Sequence, residues 1–107
     1  MASIPGYIFI DNDNIVEVTG LKDELTDTYV NDAIVEATLK SCSTGVEVTG
    51  QTWPIVLGYI NGSNGDYRGV LQDSLVLSED ALYIVEIEAE GVSKASWTIQ
   101  VRAAKRA

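Results

Sequence analysis

Apolar and polar residues alternate with a period of two through most of this chain. That period marks strands with one buried and one wet face. Along 31–40, Ala33, Val35, Ala37 and Leu39 share one face, and Asp32, Glu36 and Lys40 take the other. Along 82–90, Tyr83, Val85, Ile87 and Ala89 point one way while Glu86, Glu88 and Glu90 point the other. Along 95–102, Ala95, Trp97, Ile99 and Val101 face in, and Ser96, Thr98, Gln100 and Arg102 face out. Trp53, Ile55, Leu57 and Tyr59 repeat the pattern, and shorter strands are expected at 7–10, 14–19, 45–49 and 66–71.

Turn-forming residues fall between these runs: Asp11-Asn12-Asp13-Asn14, Gly20, Thr44-Gly45, Gly50, Asn61-Gly62, Asn64-Gly65 and Gly91. The segments 21–29 and 77–82 have room for one helical turn each, and the first is too short and polar for a core helix. Seven to eight short strands with regular turns predict an all-β, antiparallel β-sandwich. No repeat, low-complexity tract or linker divides the chain, so residues 1–107 are expected to form a single domain. The expected core contains Leu39, Trp53, Tyr83, Val85, Ile87, Trp97 and Ile99.

Charge narrows the function classes. The net charge is -9 with a pI of about 4.2, which opposes nucleic-acid binding, because phosphate affinity comes from Lys and Arg. No apolar run reaches the ~18 residues of a membrane span. The N-terminus lacks the basic and long apolar regions of a signal peptide, so synthesis in the cytoplasm is expected. The chain has one cysteine, Cys42, and no histidine. A catalytic thiol needs a group that lowers its pKa, and zinc needs nitrogen or sulfur ligands; no cofactor or metal is expected.

Several local patterns suggest chemistry and then fail on spacing. The run Asn61-Gly62-Ser63-Asn64-Gly65-Asp66-Tyr67-Arg68-Gly69 is glycine-rich, yet it lacks the spacing and the Lys-Ser/Thr of a phosphate loop. Two Asn-Gly pairs between alternating runs predict a hairpin instead. Asp11-Asn12-Asp13-Asn14 begins like a calcium loop, but Ile15 takes a ligand position. Glu86, Glu88 and Glu90 offer carboxylates for glycoside hydrolysis; two apart on one strand, they line its solvated face. Tyr7, Trp53, Tyr59, Tyr67, Tyr83 and Trp97 offer a sugar platform, though Trp53, Tyr83 and Trp97 lie on apolar faces. These patterns do not make an enzyme.

Two stretches carry a family likeness. Leu77-Ser78-Glu79-Asp80-Ala81-Leu82-Tyr83 resembles the entry to a late strand of immunoglobulin-like sandwiches, with Tyr83 in the place of the corner tyrosine. Gly65-Asp66-Tyr67-Arg68-Gly69-Val70-Leu71 resembles a G-x-Y-x-G-x-L strand of the same modules. With Asn31-Asp32-Ala33-Ile34-Val35-Glu36-Ala37-Thr38-Leu39-Lys40 and Gly50-Gln51-Thr52-Trp53-Pro54, residues 30–101 resemble small immunoglobulin-like β-sandwich virion proteins of tailed bacteriophages. The resemblance implies a non-enzymatic structural component of a bacteriophage virion, foremost a capsid decoration protein, made in the host cytoplasm. Its partners would be major capsid or tail proteins and copies of itself. A head-to-tail, tail or baseplate protein, or a tail-borne receptor- or carbohydrate-binding module, remains the alternative.

Both termini are candidate assembly elements. Tyr7 and Phe9 fall on one face of the first strand and Ile8 and Ile10 on the other, so both faces need cover. Residues 1–10 are expected either to form an arm on a neighbouring subunit or to tuck in as a first strand. Arg102, Lys105 and Arg106 are three of the seven basic residues. The tail they form, 102–107, is either solvated or set against a neighbour's acidic face at Glu86, Glu88 and Glu90.

Overall fold

The computed structural model describes residues 2–3, 6–23, 25–91 and 94–105. They contain ten strands and no helix: β1 (Ala2–Ser3), β2 (Tyr7–Phe9), β3 (Asn14–Val18), β4 (Lys22–Asp23), β5 (Thr28–Tyr29), β6 (Ile34–Ser41), β7 (Ile55–Tyr59), β8 (Tyr67–Leu71), β9 (Leu82–Glu90) and β10 (Lys94–Ala104). Eight of them form one sheet in the order β1-β3-β8-β7-β6-β9-β10-β2, and β4 and β5 form a small hairpin.

The all-β expectation holds, but the pairing is mixed rather than antiparallel throughout. β2 runs parallel to β10, with Tyr7 opposite Arg102 and Ile8 opposite Ala103. Every other pairing among the described strands is antiparallel. The sheet curls so far that it is nearly a barrel. The bend lies in β7, which pairs with β6 through residues 55–57 and with β8 through Gly58 and Tyr59. β1 lies on β3 at one edge of the sheet and β2 on β10 at the other.

The inward side chains are those that the alternation selects. Val35, Ala37 and Leu39 of β6 and Tyr83, Val85, Ile87 and Ala89 of β9 meet Val16 and Val18 of β3, Leu57 of β7 and Tyr67 and Leu71 of β8. Trp53, Trp97 and Ile99 of the expected core are only half-buried at its margin. The cause differs between them. Trp53 lies where its indole N–H can donate to the Val48 carbonyl at 2.6 Å, since a tryptophan is rarely buried without a partner. Trp97 and Ile99 lie on a stretch of β10 that β2 does not flank, because β2 pairs only with residues 102–104.

Two tyrosine hydroxyls bind the loops to this core. Tyr83 accepts a bond from the Ser78 N–H at 2.8 Å, the corner contact expected for it. Tyr67, fully buried, donates to the Val30 carbonyl at 2.7 Å and accepts from the Ala33 N–H at 3.1 Å. The hairpin predicted from the two Asn-Gly pairs joins β7 to β8, with Gly62 and Gly65 at positive φ. Gly65 also fills a close contact: a Cβ there would stand 2.5 Å from the Leu21 carbonyl oxygen. Its N–H donates to Asn31 Oδ1 and its carbonyl accepts from the Leu21 N–H.

Segment 21–29 forms the β4–β5 hairpin, and the single helical turn expected there is its connection: the Asp27 N–H donates to the Asp23 carbonyl at 2.7 Å, and Asp23 Oδ1 accepts the Leu25 N–H. One expectation for local structure changes. The expected strand at 45–49 is reduced to one bridge between Lys40 and Glu47.

Replacing Tyr67 by Phe removes both bonds and strands a carbonyl and an N–H, at a cost of about 1–3 kcal/mol. Tyr83→Phe removes one bond and is expected to cost about 0.5–1.5 kcal/mol. Urea unfolding measures both, and equal losses would contradict the double anchor. Burial raises the Tyr67 phenol above its ordinary value, opposed by the Ala33 bond. Its stabilisation is therefore fully present below the unfolded value of about 10 and lost as pH rises through the higher folded value. The gap between wild type and Tyr67→Phe should close in that alkaline window.

Candidate assembly surface

The outward face of β7, β6, β9, β10 and β2 carries most of the charge that the alternation set aside. Its residues stand in rows across the strands. Glu36 is opposite both Val56 and Glu88, and Glu88 is opposite Ser96. Thr38, Glu86 and Thr98 form the next row, then Lys40, Ile84 and Gln100. The last row holds Leu82, Arg102 and Tyr7. Glu90, opposite Lys94 and Ile34, closes the other end. The rows of Glu88 and Arg102 lie six residues apart along β10, about 20 Å.

Acidic groups dominate the middle of this face, with Lys94 beside Glu90 at one end and Arg102 at the other. Lys40 bridges to Glu86 at 2.7 Å, and that bond, followed by the Glu86 charge, raises the lysine above its ordinary value. Glu36 and Glu88 face each other across the β6–β9 pairing, and neither has an ion pair among the described residues. Like charges directly opposite are unfavourable in a sheet, and a cation brought to this pair would meet both. A hollow of about 220 Å³ opens here, lined by Glu36, Lys40, Glu47, Pro54, Glu86 and Glu88. Beside it Ile34 is 59% and Val56 66% exposed.

The structure brings two candidate residues together and separates others. Tyr7, 53% exposed, lies directly beside Arg102 on this face. The Arg102 guanidinium donates to the Asp80 carbonyl at 3.3 Å. Ile8 is completely buried in its own chain's core, where the small Ala103 opposite leaves it room. Phe9 and Ile10 are half-buried, and the Ile10 N–H donates to the Ala104 carbonyl. Lys105 is exposed past the end of β10, and Arg106 lies outside the described residues, as do Ile4 and Pro5 of the N-terminal segment. Residues 102–104 belong to β10 and bond on both sides: the Ala103 N–H donates to the Ala81 carbonyl and the Arg102 N–H to that of Gly6.

The remaining candidates are placed as follows. Tyr67 and Tyr83 are buried, Trp53, Tyr59 and Trp97 half-buried, and Tyr7 exposed, so the six aromatics share no single open platform. Asp11 occupies a turn at φ 59°, and Asp13 Oδ1 accepts the Asp73 N–H at 2.9 Å. Among the described residues no three His, Cys, Asp or Glu side chains are grouped to hold a metal. Cys42 is exposed just beyond β6. The pairing of Tyr7 with Arg102 was not visible in the sequence, because it depends on β2 running parallel to β10. No family model, curated protein or solved structure matches the chain.

Ile8→Ala should destabilise the isolated chain by about 2–5 kcal/mol, the range for deleting a buried aliphatic side chain. Tyr7→Ser, on the open face, should stay within ~0.5 kcal/mol. Denaturant unfolding at several protein concentrations separates these. A loss for Ile8→Ala that appears only at high concentration would place Ile8 in a contact between chains.

Proposed function

We propose that this chain is a non-enzymatic structural module of a tailed-bacteriophage particle, of immunoglobulin-like sandwich type, acting as a capsid decoration protein. The strand order supports the finer fold reading. β1, β3, β8 and β7 succeed one another as A, B, E and D do in an immunoglobulin constant-type sheet, and β6, β9 and β10 as C, F and G do. Tyr83, near the start of β9, bonds five residues upstream, as the corner tyrosine of strand F does. The virion reading rests on the sequence pattern across residues 30–101.

One observation carries the assembly role: the outward face keeps groups that its own fold does not use. Ile34 and Val56 are exposed beside Glu36 and Glu88, two carboxylates set opposite each other across β6 and β9 with no ion pair among the described residues. A partner bringing apolar and cationic groups would cover the first and neutralise the second. A lattice of major capsid protein offers such a partner in many symmetric copies.

The test is to probe purified particles for the chain and count its copies by quantitative mass spectrometry. Many copies in register with the capsid lattice are expected, and Glu36→Lys with Glu88→Lys should release them while the variant stays folded. Recovery of the chain only in the soluble fraction would overturn the proposal.

A further inference from the structure

The two Asn-Gly pairs between β7 and β8 share a latent chemistry. The backbone nitrogen that follows an asparagine can attack the side-chain amide carbon, and a glycine in that place has no side chain to obstruct it. Asn61 and Asn64 are both exposed, and neither side-chain amide is bonded among the described residues. The pairs differ in the glycine that comes next.

Gly62 is open. It is exposed at φ 81°, and a Cβ built there would meet nothing within 4 Å. Its N–H has no acceptor among the described residues. The turn around it is closed by Ser63, whose N–H and hydroxyl donate to the Ile60 carbonyl at 3.1 and 2.6 Å. Neither bond holds the Gly62 nitrogen.

Gly65 is held. It is buried, its N–H donates to Asn31 Oδ1 at 2.8 Å, and its carbonyl accepts the Leu21 N–H at 2.9 Å. A Cβ there would stand 2.5 Å from the Leu21 carbonyl oxygen and 2.6 Å from the Leu21 nitrogen, so backbone walls the residue in. Its nitrogen must give up the Asn31 bond before it can attack, and turning it toward Asn64 disturbs the packing on Leu21.

We propose that Asn61 is a site of spontaneous deamidation and that the fold protects Asn64 from the same reaction. The Gly62 nitrogen bonds to Asn61 Cγ and the Cγ–Nδ2 bond breaks. Nδ2 leaves as ammonia, carrying the proton that the Gly62 N–H gives up. Water then opens the cyclic imide at either carbonyl. Opening at Cγ gives aspartate. Opening at the Asn61 backbone carbonyl gives isoaspartate, whose main chain runs through Cβ and Cγ and is one carbon longer. One water is consumed and one ammonia released. Either product adds one negative charge to a chain already at -9. The inference stands on these two turns and does not depend on the virion reading.

Local opening sets the contrast between the sites. Asn64 reacts only from conformations in which Gly65 has come away from Asn31 and Leu21. An opening cost of about 1.4 kcal/mol already slows a reaction tenfold.

The test keeps the folded full chain at mildly alkaline pH, which favours the attacking amide anion, and samples it over days. Peptide mass spectrometry with electron-transfer fragmentation reads the amide-to-acid mass gain at each asparagine and separates isoaspartate from aspartate. Asn61 should convert at least about tenfold faster than Asn64, with isoaspartate among its products. In urea, where neither glycine is held, the contrast should disappear. Asn31→Ala frees the Gly65 N–H and should speed Asn64 while leaving the Asn61 rate unchanged. Should that variant not fold, the wild-type comparison with and without urea decides alone. An unreacted Asn61, a folded-state contrast below tenfold, a contrast that persists in urea, or conversion of Asn61 without isoaspartate overturns the proposal. So does a folded Asn31→Ala chain in which Asn64 stays as slow as in the wild type.

Discussion

β7 belongs to both halves of the sheet, and the closed shape depends on that sharing. Its first residues pair with β6 and its last two with β8. A strand that serves two neighbours in succession must turn between them, and the turn falls where Leu57 points inward and Gly58 carries no side chain. The bend curls one long sheet around a single core. Without it, the inward row of β6 and β9 would have no opposing row, and the apolar burial that drives folding would be lost on both sides.

Bending the sheet leaves long connections that must cross its ends, and their backbone groups need partners. Hydroxyl and amide side chains supply them. Tyr67 holds the 30–33 crossing from inside the core, and Asn31 in turn holds Gly65 in the β7–β8 hairpin. Tyr83 does the same for the turn before β9. The glycine-rich run that looks like a ligand loop is therefore a bracket. Its Gly65 is required where it packs against Leu21, and its Asp66 accepts the Gly20 N–H. Such bonds contribute modestly one by one, yet breaking one strands a group away from water, which costs more.

Much of this was legible in the sequence for a local reason. A period of two fixes which side chains share a face, and β6, β9 and β10 carry the faces that the alternation assigns. The hairpin at residues 60–66 and the Tyr83 contact were legible too, since both depend on residues close along the chain. What was not legible depends on distant partners. Whether Trp97 is covered depends on how far β2 extends along β10, and no pattern within 94–104 encodes that. Tyr67 reads as one more alternating aromatic; only its meeting with residues 30–33, more than thirty positions away, makes it an anchor. The face-to-face position of Glu36 and Glu88 is likewise a matter of register between strands that are not neighbours in sequence.

The same reasoning explains why the surface divides into two kinds. Outward positions on β6 and β9 are flanked by strands on both sides, so their backbones are satisfied and only side chains remain to meet a partner. Many of those side chains are charged, Glu36, Glu86, Glu88 and Glu90 among them, with Lys40 bridged to Glu86. The edge of β10 over residues 95–99 is the reverse: its side chains are uncharged, and among the described residues no strand pairs with it beyond β9. A contact on the face would be sensitive to salt and adaptable in geometry, because screened charges act over several ångströms. A contact on the edge would be insensitive to salt and fixed in register, because backbone hydrogen bonds tolerate little displacement. One small domain thus offers an approximate surface for a partner of opposite charge and an exact one for a strand. The two can be occupied together, since they use different atoms of the same sheet.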